Sequence, residues 1–277
     1  MPRLSIWWAV FAVLLLPSSA CAHFGVSDDG YRPTSQPAGA RPLSDNPLHV
    51  AVFNDDVEAA KSQLDANPGL LNSVDSDNRT ALHYAAVRHS LDCLRLLLKE
   101  RADPNVQSRE GVTPLSWAME AFDFEAFKML LDGHADPELA RNENGLQTPP
   151  LSSSLAIPDP RYFRQLIKAG ADVNHCNRAS WSPLHFAVQN RRDPKLVKML
   201  LDRGAKIDAQ TGDGETPLHL ACAAGDGVLV RLLLAHGANP RIRDHQARLP
   251  ADLLPEDAAE ARALLQASSH EWALNRG

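Results

Sequence analysis

A four-residue phrase recurs along this chain at a nearly constant interval, and that recurrence limits the fold more than any other feature. It reads Asn46-Pro47-Leu48-His49, Thr80-Ala81-Leu82-His83, Thr113-Pro114-Leu115-Ser116, Thr148-Pro149-Pro150-Leu151, Ser182-Pro183-Leu184-His185 and Thr216-Pro217-Leu218-His219. A worn copy stands at Leu249-Pro250-Ala251, and the second positions of successive copies lie 33 to 35 residues apart. A second phrase keeps step with the first: Arg101-Ala102-Asp103, His134-Ala135-Asp136, Gly170-Ala171-Asp172, Gly204-Ala205-Lys206 and Gly237-Ala238-Asn239. Two phrases in phase over most of a chain describe one supersecondary unit repeated and stacked.

Each unit reads as two helices and a turn. Thr or Ser before Pro starts a helix, because the hydroxyl caps free N–H groups and Pro has φ pre-set for a first turn. The short helix Leu218–Ala224 is rich in small Ala, which lets neighbours approach closely. Gly225 can end it in the left-handed region. A second helix carries Val228, Val230, Leu232, Leu233 and Leu234 and stops at Gly237. Asp213-Gly214 is a tight turn, and Asn78 and Gly111 stand in the equivalent turns of two other units, where positive φ is best tolerated.

These phrases resemble the ankyrin repeat. The resemblance runs from about Asp45 to about Leu265 and implies an all-α repeat solenoid. Its helix–turn–helix units carry β-hairpin fingers and stack into a curved array. Five full repeats follow Asp77, with a weaker one at 46–75 before them and a worn half-repeat after. The acidic stretch Pro255-Glu256-Asp257 suits a polar end cap, and residues 266–277 read as a tail. Repeat four departs most. Pro150 stands for the usual Leu and Leu151 for the usual His, followed by Ser152-Ser153-Ser154. Repeats four and five share an added residue and an Asp-Pro (Asp159-Pro160, Asp193-Pro194), so both are expected to have a longer link between their helices. The finger from Arg141 to Gln147 is also stretched, and the middle of the array is expected to be bent or loosened.

The first 44 residues read differently. Arg3 and the apolar run Ile6–Leu16, broken by Pro17 and followed by small residues, have the layout of an export signal over residues 1–21. The run is shorter than the roughly 20 residues a bilayer span needs. Two cleavages fit: Ala20-Cys21-Ala22 would release a soluble protein starting at His23, while Ser18-Ser19-Ala20-Cys21 resembles a bacterial lipoprotein box that would lipidate Cys21. Residues 22–44, with Pro33, Pro37 and Pro42, read as a flexible linker. The expected location is the periplasm, either soluble or tethered through a lipid on Cys21.

Composition narrows the function further. The chain has 277 residues, 44% hydrophobic and 22% charged, with a formal net charge of -6. That balance is globular and lacks the basic footprint that nucleic-acid binding requires. Cys93, Cys176 and Cys222 form no metal-ligand spacing and lie in different repeats, so they are expected to stay unpaired. Of 11 His, four sit in the repeat phrase. Their even spacing makes a row, not the converging cluster a metal needs, and the resemblance implies that they bond neighbouring units. No catalytic motif or paired acid–base carboxylates stand out. No cofactor is expected, and the chain is expected to be a non-catalytic monomer.

The resemblance further implies that partners touch the fingers and first helices on the concave face. The candidate contacts are Asp77, Arg79, Arg88, Glu110, Val112, Glu120, Trp181, Gln189, Asn190, Asp213 and Glu215, with Val87, Ala121 and Ala224 beside them. Trp181 is either a binding hot spot or a packing residue against Leu151 or the next finger. Trp117 is expected to pack in the core. The partner is expected to be another exported or envelope protein, with an inhibitor or immunity protein against a toxic enzyme in the periplasm as a narrower alternative and an enzyme or metal protein with an unrecognised site as the alternative of another class.

Overall fold

The computed structural model describes residues 45–139, 147–190 and 193–274. The export signal, Cys21 and the linker lie outside the described residues. Six helix pairs follow one another: α1 (Pro47–Phe53) with α2 (Val57–Ala66), α3 (Ala81–Arg88) with α4 (Leu91–Lys99), and α5 (Pro114–Glu120) with α6 (Phe124–Asp132). Then come α7 (Pro150–Ser154) with α8 (Pro160–Lys168), α9 (Pro183–Gln189) with α10 (Pro194–Asp202), and α11 (Pro217–Ala223) with α12 (Gly227–Ala235). A 3-10 turn (Pro250–Leu253) and a final helix α13 (Ala259–Leu274) close the array. This last helix runs on past residue 266, where the sequence suggested a tail.

Short helices like these are marginal alone, and packing holds them. First helices stack on first helices and second helices on second helices, each row thinning at one junction of repeat four, and Leu48, Leu82, Leu115, Leu151, Leu184 and Leu218 of the repeat phrase are all at most 1% exposed. Asp56, Asp123, Asp159, Asp193 and Asp226 cap the second helices through side-chain carboxylates. The fingers are hairpin-shaped turns, and no strand forms among the described residues. Such a turn is closed by two backbone bonds, as from the Thr211 amide to the Glu215 carbonyl and from the Gly214 amide to the Thr211 carbonyl (both 2.9 Å). Its tip residue takes positive φ, as expected at Asn78 (60°), Gly111 (74°) and Gly214 (81°). Adjacent tips are linked in turn: Arg109 N donates to Asp77 O, Gly212 N to Ala179 O and His245 N to Asp213 O, at 2.8 to 2.9 Å.

Repeat four corrects the sequence alignment by one residue. Its first helix begins at Pro150, not Pro149, so Leu151 fills the usual Leu position and Ser152 stands where other repeats have His. The step from α7 to α8 is then of ordinary length, ten residues from Pro150 to Pro160, as from Pro217 to Gly227. Only repeat five, with eleven from Pro183 to Pro194, has the longer link. The extra residues of repeat four lie in the finger before it.

Candidate functional site

Two hydrogen-bond ladders position the concave face. In the first, the repeat-phrase His receives the amide of its own cap residue on Nδ1 and donates from Nε2 to a carbonyl of the next finger. His83 Nδ1 accepts from Thr80 N (3.0 Å) and its Nε2 meets Val112 O (3.0 Å). His185 takes Ser182 N (3.2 Å) and meets Glu215 O (3.2 Å), and His219 takes Thr216 N (3.1 Å) and meets Arg248 O (3.2 Å). His49 Nε2 reaches Ser73 O at 3.1 Å. An amide donor on Nδ1 leaves no room for a second ring proton, and burial disfavours charge. Burial accordingly lowers the pKa of His83 and of His185 to about 4 and lowers those of His49 and His219. These imidazoles are neutral structural clamps.

The second ladder was missed in the sequence. A side-chain oxygen from one finger base accepts the amide just after the Ala of the next Gly-Ala-Asp phrase. The pairs are Asn72 with Asp103, Asn105 with Asp136, Glu138 with Asp172, Asn174 with Lys206, and Asp208 with Asn239, all 2.7 to 2.9 Å. The signal was present as an Asn or Asp nine residues before the first helices α3, α5, α9 and α11. Before α7 the interval from Glu138 to Pro150 is twelve, which places three extra residues in that finger.

The candidate contacts divide on this scaffold. Glu110, Glu120, Asn190 and Asp213 are exposed at finger tips or first-helix ends, and Asp77 and Gln189 are half-buried beside them. Asn190 also donates Nδ2 to Leu155 O (3.3 Å). Val112 is a correction: at 2% exposure its side chain lies inside the stack, because its carbonyl is the acceptor for His83. Arg79 is largely structural. Its side chain is 15% exposed, its guanidinium lies 5.2 Å over the Trp117 ring, and Asp77 is 3.6 Å away. Arg88 lies 4.4 Å over the Phe53 ring and donates to the Phe53 carbonyl. Glu215 is half-buried, and burial pushes its carboxyl up against the pull of Arg248 at 3.5 Å.

Trp181 is half-buried too. Its ring packs 5.4 Å from Phe186 and 5.9 Å from His185 on its own repeat's first helix, so it braces the finger onto α9. Trp117 is likewise half-buried, edge-on to His83 at 5.3 Å. Phe122, which the sequence reading passed over, is 50% exposed with φ 53°, in the interhelix position that Gly225 fills in repeat six. Cys93, Cys176 and Cys222 are unpaired, and burial pushes the thiols of Cys93 and Cys222 up to about 12. No group of His, Cys, Asp and Glu among the described residues could hold a metal ion.

Comparison with known proteins decides the family. The profile of ankyrin repeats in three copies matches residues 48–141 and 155–244, breaking off on either side of α7. The chain belongs to the ankyrin repeat family. Among curated relatives, this ankyrin array is 32% identical to human ankyrin repeat and SOCS box protein 16 over 74% of the chain and 46% of that protein. It is 28% identical to the chicken nuclear factor NF-kappa-B p105 subunit, over 73% of the chain and 21% of that protein. The array therefore spans less than half the length of either. Among solved structures, it matches the ankyrin repeat domain of Bcl-3 with TM-score 0.70 and 26% identity, over 80% of the chain and 99% of that domain. An ankyrin repeat domain from Acinetobacter baumannii AYE matches with TM-score 0.62 and 26% identity, over 68% of the chain and 97% of that domain. Such ankyrin relatives are typically non-catalytic modules for protein–protein interaction.

Proposed function

We propose that this ankyrin array is a non-catalytic scaffold of the cell envelope that binds a partner protein on its concave face. The observation that carries the reading is the division of labour on that face. Its row of His is buried and neutral and bridges repeats. Its exposed positions include the acidic Glu110, Glu120 and Asp213 beside Asn190, while the scaffold beneath them repeats. A regular frame with exposed, mainly acidic positions suits recognition of one extended protein surface.

Export rests on residues 1–21 and, for a lipid tether, on Cys21. Fractionation tests it directly. The full chain should be found in the envelope, and Cys21→Ser should release it from the membrane if the anchor is a lipid. Retention of the chain in the cytoplasm would remove the envelope from the proposal. The binding face is tested by using the purified chain as bait and titrating the partner it retains. Glu110→Lys combined with Asp213→Lys should abolish retention while the helical circular dichroism is unchanged. Reversing charge on the exposed second-helix residues Lys128 and Arg164 should leave retention intact. The opposite pattern would move the interface to the convex side.

A further inference from the structure

Repeat four is attached differently to its two neighbours. It is tied to repeat three through second helices: the Tyr162 ring of α8 lies 4.9 Å from Phe127 and 5.3 Å from Phe124 of α6, with Arg161 4.4 Å over Phe124. The first helices of the same two repeats, α5 and α7, barely meet. Toward repeat five the arrangement reverses. Helix α7 packs on α9, and Asn190 binds the Leu155 carbonyl, while α8 and α10 barely meet. Between the other adjacent repeats, both rows of helices pack.

Hydrogen bonding follows the same division. Ser116, in the His position of repeat three, turns its hydroxyl back to Thr113 Oγ1 (3.1 Å) and spans no repeat. Ser152, in the His position of repeat four, buries an Oγ that has no hydrogen-bond partner. The Tyr162 hydroxyl is also buried and unpartnered, so packing alone holds its ring. Among the described residues, the concave side of the third-to-fourth junction thus lacks both the helix packing and the imidazole clamp of the flanking repeats. Its convex side keeps an aromatic cluster that can rotate without breaking a hydrogen bond.

We propose that the junction between repeats three and four is a hinge. The first helices part and close there about the Phe124–Phe127–Tyr162 cluster, changing the curvature of the concave face. Rigid bodies that meet at one anchored side can rotate about it as units. The hinge does not depend on what the concave face binds. A partner reaching from repeat two to repeat five would fix one curvature and so bind the closed or the open form selectively.

Distances between spin-label pairs test this in the full chain carrying Cys21→Ser and Cys176→Ser. Cys93 and Cys222 are buried and stay unlabelled. Three pairs each span two repeats, roughly 20 Å at ordinary helix spacing. Val87→Cys with Ala156→Cys crosses the junction along the first helices. Arg95→Cys with Arg164→Cys crosses it along the second helices. Ala156→Cys with Ala223→Cys stays within repeats four to six. The first pair should give a broader distance distribution than the other two, and adding Ser116→His, which restores a clamp toward the next finger, should narrow it. Equal widths for all three pairs would overturn the hinge. A second-helix pair as broad as the first would overturn the pivot. Should the Ser116→His chain fail to fold, the three widths still decide the matter.

Discussion

Repeats two and five and repeats three and four share one architecture but are held together differently. In repeats two and five a buried His sits in the phrase, closes its own helix cap and reaches a carbonyl of the next finger. In repeats three and four Ser116 and Ser152 stand at that position, the hydroxyl of one bonding within its own repeat and that of the other left without a partner. The side-chain-to-amide ladder at the finger bases runs through both regions. Losing the imidazole therefore leaves the stack standing but removes the tie on its concave side. The backbone can keep its repeat while individual junctions differ in strength, as expected where each repeat touches only its neighbours.

The largest expected difference between the regions comes from truncation. His185→Ala leaves a cavity beside Trp181 and strands the amide of Ser182 and the carbonyl of Glu215, which should destabilise by about 3 kcal/mol. Ser116→Ala removes one local bond and should cost about 1 kcal/mol or less. Urea unfolding of both variants measures the contrast, and equal losses would break it.

Acid comes next. His83 and His185 fall to about 4 in the fold by burial, against about 6.5 in an unfolded chain. Protons bind the unfolded state first as pH drops. The stability these residues contribute is complete above pH 6.5 and is lost between 6.5 and 4, on the order of 3 kcal/mol for each. Thermal melts across that range should show Tm falling steeply, and a chain with His83→Ser and His185→Ser should show a flatter fall. A parent chain whose Tm is level from pH 7 to 4 would contradict the neutral clamps.

A finger gives a smaller effect. Gly214 has φ 81°, and a Cβ there would lie 2.8 Å from the His245 amide nitrogen of the neighbouring tip. Gly214→Ala should cost about 2 kcal/mol through backbone strain and that contact, read as a lower Tm. The smallest effect is expected in repeat four. Tyr162→Phe removes a buried hydroxyl that has no partner, so stability should hold or rise by about 1 kcal/mol. A clear loss would mean that the hydroxyl is bonded in solution.

Much of this was legible in the sequence, for physical reasons that can be named. The Thr-Pro-Leu-His phrase encodes cap, helix start, core residue and clamp within four positions, so reading it gave the repeat and the finger turns at Asn78, Gly111 and Gly214. Repeat four misled because two prolines stand together at Pro149 and Pro150, and either can occupy the first helical turn. Only the burial of Leu151 settles the register. The candidate contacts were less legible. Position in a repeat tells which residues face the groove, but not which are already engaged. Val112 is buried beneath the clamp, Arg79 is stacked on Trp117, and Trp181 leans on Phe186. The first two engagements depend on side chains in a neighbouring repeat some 30 to 40 residues away, which no local pattern records, while Trp181 leans on the first helix of its own repeat. Phe122 was passed over because a large aromatic is not expected where the backbone turns left-handed.

Amide hydrogen exchange resolved by residue tests the unequal junctions most directly. Local opening energies vary across a structure with packing and bonding. The amides of Ser153, Ser154 and Leu155 in and just after α7 should exchange through openings of clearly lower free energy than the equivalent amides of Phe186, Ala187 and Val188 in α9. Equal protection in α7 and α9 would contradict the account, since it would mean that the stack is as strongly tied where His is absent as where it is present.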